Sequence, residues 1–168
     1  NTGDIFNADL IVRNRGRNHM SIANNSPGNQ FNGKVYYYNV ATDNSDNNCF
    51  INNGANATST FADSVYFINS DNGSNRFFIS NSGQATFNGP VVMQNFGNNT
   101  RNVIFCNSST TGSTFNNNIT VESITGQGIY FGNNGGATTL SNSYTITVGP
   151  AGFPLGRLRL RNFTQQGN

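Results

Sequence analysis

Short runs in which every second residue is apolar, rich in Val, Ile, Phe and Tyr, alternate along the chain with clusters of Asn, Ser and Gly. Successive side chains of a strand point to opposite faces, so this patterning predicts half-buried β-strands. Helix is set aside, because the strong helix formers Leu, Met, Glu and Lys are scarce. The breaks at Asn44-Ser45-Asp46-Asn47, Asp71-Asn72-Gly73, Gly97-Asn98-Asn99 and Gly126-Gln127-Gly128 are built from residues that tolerate left-handed backbone angles and predict turns.

The runs recur. Phe31-Asn32-Gly33-Lys34-Val35 returns as Phe87-Asn88-Gly89-Pro90-Val91, and looser copies begin at Phe6, Phe61, Phe115 and Leu140. A second phrase, apolar-x-apolar-x-Asn, follows each of them: Met20-Ile22-Asn24, Cys49-Ile51-Asn53, Phe77-Ile79-Asn81, Val103-Phe105-Asn107, Ile129-Phe131-Asn133 and Leu158-Leu160-Asn162. The period is about 27 residues, and each repeat reads strand, turn, strand, turn. One such unit cannot bury its own apolar face, whereas stacked copies bury a continuous core.

The expected fold is therefore all-β: a parallel β-solenoid (β-helix) of about six coils, filling residues 1–168 as one domain. At a strand spacing of about 4.8 Å six coils stand roughly 29 Å tall. Phe6, Phe31, Phe61, Phe87, Phe115 and Leu140 should form one internal column, and Ile22, Ile51, Ile79, Phe105, Phe131 and Leu160 another. Asn24, Asn53, Asn81, Asn107, Asn133 and Asn162 should form an amide ladder at one corner. A β-sandwich and an intertwined trimeric fibre stay open as alternatives, since both use short strands at similar spacing.

Composition narrows the function classes. Charged residues are 10% of the chain against about 25% in ordinary domains, and 33 residues are Asn. The 14 Phe and 6 Tyr argue against a disordered tract. A net charge of +2 is too small to imply nucleic acid, and no apolar run is long enough to insert in a membrane. The start at Asn1 without Met fits a processed secreted chain or a segment of a longer one, and the expected location is extracellular, at a cell surface.

Candidate chemistry is sparse, and no cofactor is expected. Asp43, Asp46 and Asp71 fall in equivalent turns and form a weak calcium candidate against the simpler reading as solvated turn residues. His19 lacks a second ligand at metal spacing. Cys49 and Cys106 lie two coils apart, too far for an intrachain disulfide, so each should be a free thiol, or Cys106, which reads as outward-facing, could bridge to another chain. Arg13, Arg15 and Arg17 in the first repeat and Arg157, Arg159 and Arg161 in the last read as charges that guard open strand edges, with binding of an anionic polysaccharide as the functional alternative. Thr60, Thr86, Thr114 and Thr139 make a hydroxyl column, which reads as turn closure more readily than as a flat ice-binding array. Tyr36, Tyr38, Tyr66 and Tyr130 could line a sugar-binding groove if acids lay beside them.

The phrases Ala85-Thr86-Phe87-Asn88-Gly89-Pro90-Val91 and Thr139-Leu140-Ser141-Asn142, with the ending from Gly156 to Thr164, resemble the repeats of large secreted surface proteins of Bacteroidota. Similar phrases occur in bacteriophage tail-fibre shafts. The resemblance implies a cell-surface fibre or adhesin and no particular chemistry. With few acids available and no helical cap in sight, the expected function is non-enzymatic, a structural or adhesive filament segment that associates head to tail or continues into further repeats, with surface polysaccharide as a candidate partner. A carbohydrate-binding or carbohydrate-active β-helix and a phage-type trimeric fibre segment are the alternatives.

Overall fold

The computed structural model describes residues 3–15, 19–40, 49–69, 77–95, 102–108, 112–124, 128–149 and 157–167. The chain winds through parallel coils of three short strands each. The first coil contains β1 (Ile5–Phe6), β2 (Leu10–Asn14) and β3 (Met20–Ile22), and the second β4 (Asn29–Phe31), β5 (Val35–Asn39) and β6 (Cys49–Ile51). The third has β7 (Thr58–Phe61), β8 (Val65–Asn69) and β9 (Phe77–Ile79), and the fourth β10 (Gln84–Phe87), β11 (Val91–Asn95) and β12 (Asn102–Phe105). The fifth has β13 (Ser113–Phe115), β14 (Ile119–Ile124) and β15 (Gly128–Phe131). The last has β16 (Thr138–Leu140), β17 (Ile146–Val148) and β18 (Arg157–Leu160), after which β19 (Phe163–Gln165) begins a further rung.

Each strand pairs in parallel with its counterpart in the next coil, giving three sheets. One sheet has seven strands, β1-β4-β7-β10-β13-β16-β19; the second, β17-β14-β11-β8-β5-β2, and the third, β18-β15-β12-β9-β6-β3, have six each. Register is strict: Phe6 lies against Phe31, Val35 against Val65, and Ile51 against Ile79. A slip of one residue would turn every inward side chain out. One irregularity interrupts the second sheet, a bulge in β14 opposite Met93 and Gln94.

The coil has three strands where the two-phrase repeat suggested two. The Phe-Asn-Gly-x-Val phrase is not one strand: Phe31 ends β4, and Val35 starts β5 on another face. Both residues point inward, four positions apart, so the alternation runs through the corner and conceals it. Glycine marks the bend. A Cβ on Gly33 would lie 2.5 Å from the Ala8 carbonyl carbon of the coil below, so the two backbones approach closely there only because a side chain is missing.

The interior is a single apolar column running between the three sheets. Val35, Phe61, Phe67, Ile79, Phe87, Phe115 and Phe131 are fully buried within it. Burying a Phe or Leu side chain contributes about 1.5–3 kcal/mol, which offsets the ordering of so many Asn- and Gly-rich corners.

Candidate functional site

The core presents no cavity-like chemistry, so the features with functional weight are its stacks, its outer faces and its two ends. Phe6, Phe31, Phe61, Phe87 and Phe115 form a stack of near-parallel rings with centroids 4.6–4.9 Å apart. Leu140 continues the column in register with Phe115 and is buried. The second column passes through Ile22, Ile51, Ile79, Phe105 and Phe131, with Phe105 and Phe131 stacked at 5.0 Å. Leu160 departs from the expectation of an internal position: it is in register with Phe131 but is 47% exposed, because β18 is the last strand of its sheet.

Two amide ladders cross the coils, and a third is broken. At the predicted corner Asn81 Nδ2 donates to Asn53 Oδ1 at 2.8 Å, Asn107 to Asn81 at 3.0 Å, and Asn133 to Asn107 at 2.9 Å. Asn24 is exposed below this run. Asn162 leaves it: only Arg161 and Asn162 join β18 to β19, and Asn162 takes a left-handed backbone (φ 45°) to make that tight corner. The second ladder went unread in the sequence and is the more buried one. Asn14 donates to Asn39 at 3.1 Å, Asn39 to Asn69 at 2.9 Å and Asn69 to Asn95 at 2.8 Å, all at the ends of strands of the second sheet. Its signal was present: each Asn follows the inward Leu10, Val35, Val65 or Val91 by four residues. The third pairs Asn32 with Asn7 and Asn116 with Asn88, with Ala62 interrupting between them.

After the third strand of each of the first five coils one residue adopts a left-handed conformation: Ala23, Asn52, Ser80, Cys106 and Gly132, with φ of 53–67°. This rotation corrects the reading of Cys106. Alternation places it outward after inward Phe105, but the left-handed turn swings it inside, where it is fully buried. Cys49 is buried too, and both are free thiols. A bridge from Cys106 to another chain is therefore closed to the folded protein.

Burial pushes the thiols of Cys49 and Cys106 up, the latter despite hydrogen bonding to Ser113. The Tyr37 hydroxyl is likewise pushed well above its ordinary value by burial and then by the nearby Cys49, and it has no hydrogen-bond partner among the described residues. All three are neutral when folded. Above about pH 9–10 the unfolded chain releases protons that the folded chain retains, so stability is complete below that range and falls as pH rises. The expected slope once all three titrate in the unfolded state is about 4 kcal/mol per pH unit. Tyr37→Phe, which continues the ring of Phe67 stacked 5.6 Å away, should raise stability at neutral pH by about 1 kcal/mol and reduce the alkaline slope by a third. Denaturant titrations at pH 8 and pH 11 measure both.

The three outer faces differ. On the first sheet Thr60, Thr86, Thr114, Thr139 and Thr164 lie in adjacent-strand register. The column belongs to strands, not to the turn closures expected. The second sheet carries Tyr36 stacked on Tyr66 at 4.6 Å, with Tyr38 nearby and the Arg13 guanidinium 4.9 Å over the Tyr38 ring. Tyr130 stands elsewhere, on the third sheet beneath Arg159 and in a separate buried cluster with Phe78 and Ile104. The four tyrosines thus do not line one groove. Tyr36 and Tyr66 use their facing ring surfaces on each other.

The described acids lie on separate strands and turns. Asp9 accepts the Lys34 N–H, Asp63 is held below the usual carboxylate range by hydrogen bonds from Ser64, and Glu122 pairs with Gln94. Among the described residues no group of three or more His, Cys, Asp or Glu could hold a metal. Asp43, Asp46 and Asp71 of the calcium candidate, and Arg17, lie outside the described residues. His19 is exposed, its ring 5.9 Å from Phe50. A shallow polar depression lined by Asn142, Ser143, Gln166 and Gly167 lies near the C-terminal end. No helix among the described residues is long and apolar enough to cross a membrane.

Parallel coils, in-register side-chain columns and amide ladders define a β-solenoid repeat protein. No protein-family model matches the chain, and no curated protein or solved structure matches it either.

Proposed function

We propose that the chain is a structural, non-enzymatic segment of an extracellular surface filament or stalk, which works through its shape and through the stacking of coils. One observation carries this reading. The same three-sheet cross-section is repeated from β1 to β19, each strand pairing in parallel with its counterpart in the next coil, so a further coil could continue the stack in the same way. Parallel edges that do not close on themselves invite heterologous contacts, and such contacts propagate as filaments.

Negative-stain electron microscopy of the purified chain, from low to high concentration, tests the reading. Rods of constant width that lengthen with concentration are expected. Compact particles of one size throughout would contradict it, as would cleavage of a panel of surface polysaccharides. Binding to a glycan array without cleavage would specify an adhesive filament.

A further inference from the structure

The outer face of the second sheet is apolar in its middle and carries opposite charges on either side. Ile11, Tyr36, Tyr66 and Val92 lie in one outward column, strand by strand. Ile11 is 54% exposed and the other three are half-buried. The neighbouring column runs through Arg13, Tyr38, Ile68 and Gln94, and the Gln94 side-chain amide donates to the carboxylate of Glu122, which stands exposed in the β14 bulge. The other two sheets present no such surface. The first shows its column of threonines, and on the third Phe78, Ile104 and Tyr130 are already buried.

From β2 to β14 the second column reads cation, aromatic, aliphatic, amide, carboxylate, and this order is complementary to its own reverse. A two-fold axis parallel to the strands and lying over β8 turns the face onto a second copy while keeping each column over its equivalent. Arg13 then meets Glu122 of the second copy, Tyr38 meets Gln94, and Ile68 meets Ile68 on the axis. In the first column Tyr36 meets Val92. At the corner leading into these strands Asp9 meets Asn118 and Lys34 meets Pro90, so no like charges meet at these positions. Reciprocal contacts of this kind, each residue meeting the one that its equivalent meets in return, are the mark of an isologous interface. A sugar chain suits the face less well, because the rings of Tyr36 and Tyr66 turn their faces along the stack toward each other.

We propose that a second copy of this chain docks side by side on the outer face of the second sheet, with the two stacks antiparallel and related by a two-fold axis over β8. The contact joins stacks laterally, so it goes beyond the filament reading and does not require it. Five strands span about 19 Å at a spacing of about 4.8 Å, a footprint below the ~800 Å² per partner of a standard interface. One pair is therefore weak and weakens further with salt.

Sedimentation equilibrium of full-length variants at low ionic strength tests this, with thermal melts to verify folding. Arg13→Glu alone sets carboxylates against carboxylates, and Glu122→Arg alone sets guanidinium against guanidinium; each should weaken association at least fivefold. An equimolar mixture of the two variants restores both opposite-charge contacts and should associate as the unaltered chain does. Ile68→Lys, on the axis, should abolish the pair, whereas Thr86→Lys, on the first sheet, should leave it unchanged. The proposal is overturned if the mixture associates no better than either variant alone, if Ile68→Lys and Thr86→Lys act alike, or if the unaltered chain stays monomeric at every concentration. Rods seen by electron microscopy whose growth ignores these substitutions would remove the lateral contact and leave the filament reading intact, whereas pairs that obey the charge exchange without rods would do the reverse.

Discussion

Phe87→Ala is expected to destabilise the fold by about 3–5 kcal/mol, since a large buried ring leaves a cavity that its neighbours fill only in part. Phe87 is the centre of the ring stack, with Phe61 at 4.9 Å and Phe115 at 4.6 Å on its two faces and Phe67 edge-on at 6.1 Å. A parallel sheet holds the coils above and below at fixed spacing, so they cannot collapse into the gap. Domains of this size are stable by about 5–15 kcal/mol in total. The variant should therefore unfold at much lower denaturant concentration. Phe6→Ala, in the first described coil, should cost far less, because among the described residues Phe6 has a ring partner on one face only and is half-buried already. Equilibrium urea titrations of the two variants measure the contrast, and equal losses would contradict a continuous internal column.

The second large effect concerns the inner amide ladder. Asn69 accepts from Asn39 and donates to Asn95 with no surface exposed. Asn69→Ala breaks both bonds, strands a buried donor on Asn39 at a cost of about 1–3 kcal/mol when unmet, and removes the amide that donates to Asn95. A loss of about 2–4 kcal/mol is expected in the same titration. Asn81→Ala on the outer ladder breaks two amide bonds as well, but its neighbours are only part-buried, and water can replace the partner, so about 1 kcal/mol is expected.

The period, the parallel stacking and both internal columns were legible in the sequence because they rest on side-chain type at fixed intervals. What escaped has a common physical origin in the corners. The bend between Phe31 and Val35 keeps inward residues four apart, as a straight strand would, so three strands read as two. Left-handed residues such as Asn52, Ser80 and Cys106 turn inward positions that alternation assigns to solvent. The inner Asn ladder was overlooked for a related reason: polar residues at strand ends suggest exposure, yet a stacked amide is satisfied by its neighbours and can be buried at 0%. Tyr130 was separable in advance: it lies within the second phrase, Ile129-Phe131-Asn133, which forms the third sheet, whereas Tyr36 and Tyr66 follow Val35 and Val65 of the first phrase, on the second sheet.

The parallel, in-register pairing of successive coils is what all of these effects require. Nuclear Overhauser spectroscopy on labelled protein reads it directly at Thr60, Thr86, Thr114 and Thr139, which the fold places side by side on four adjacent strands. The account predicts cross-strand Hα to amide contacts linking each of these residues to positions one coil away. A spectrum dominated by Hα to Hα contacts between strands consecutive in sequence, the mark of antiparallel hairpins, would contradict it.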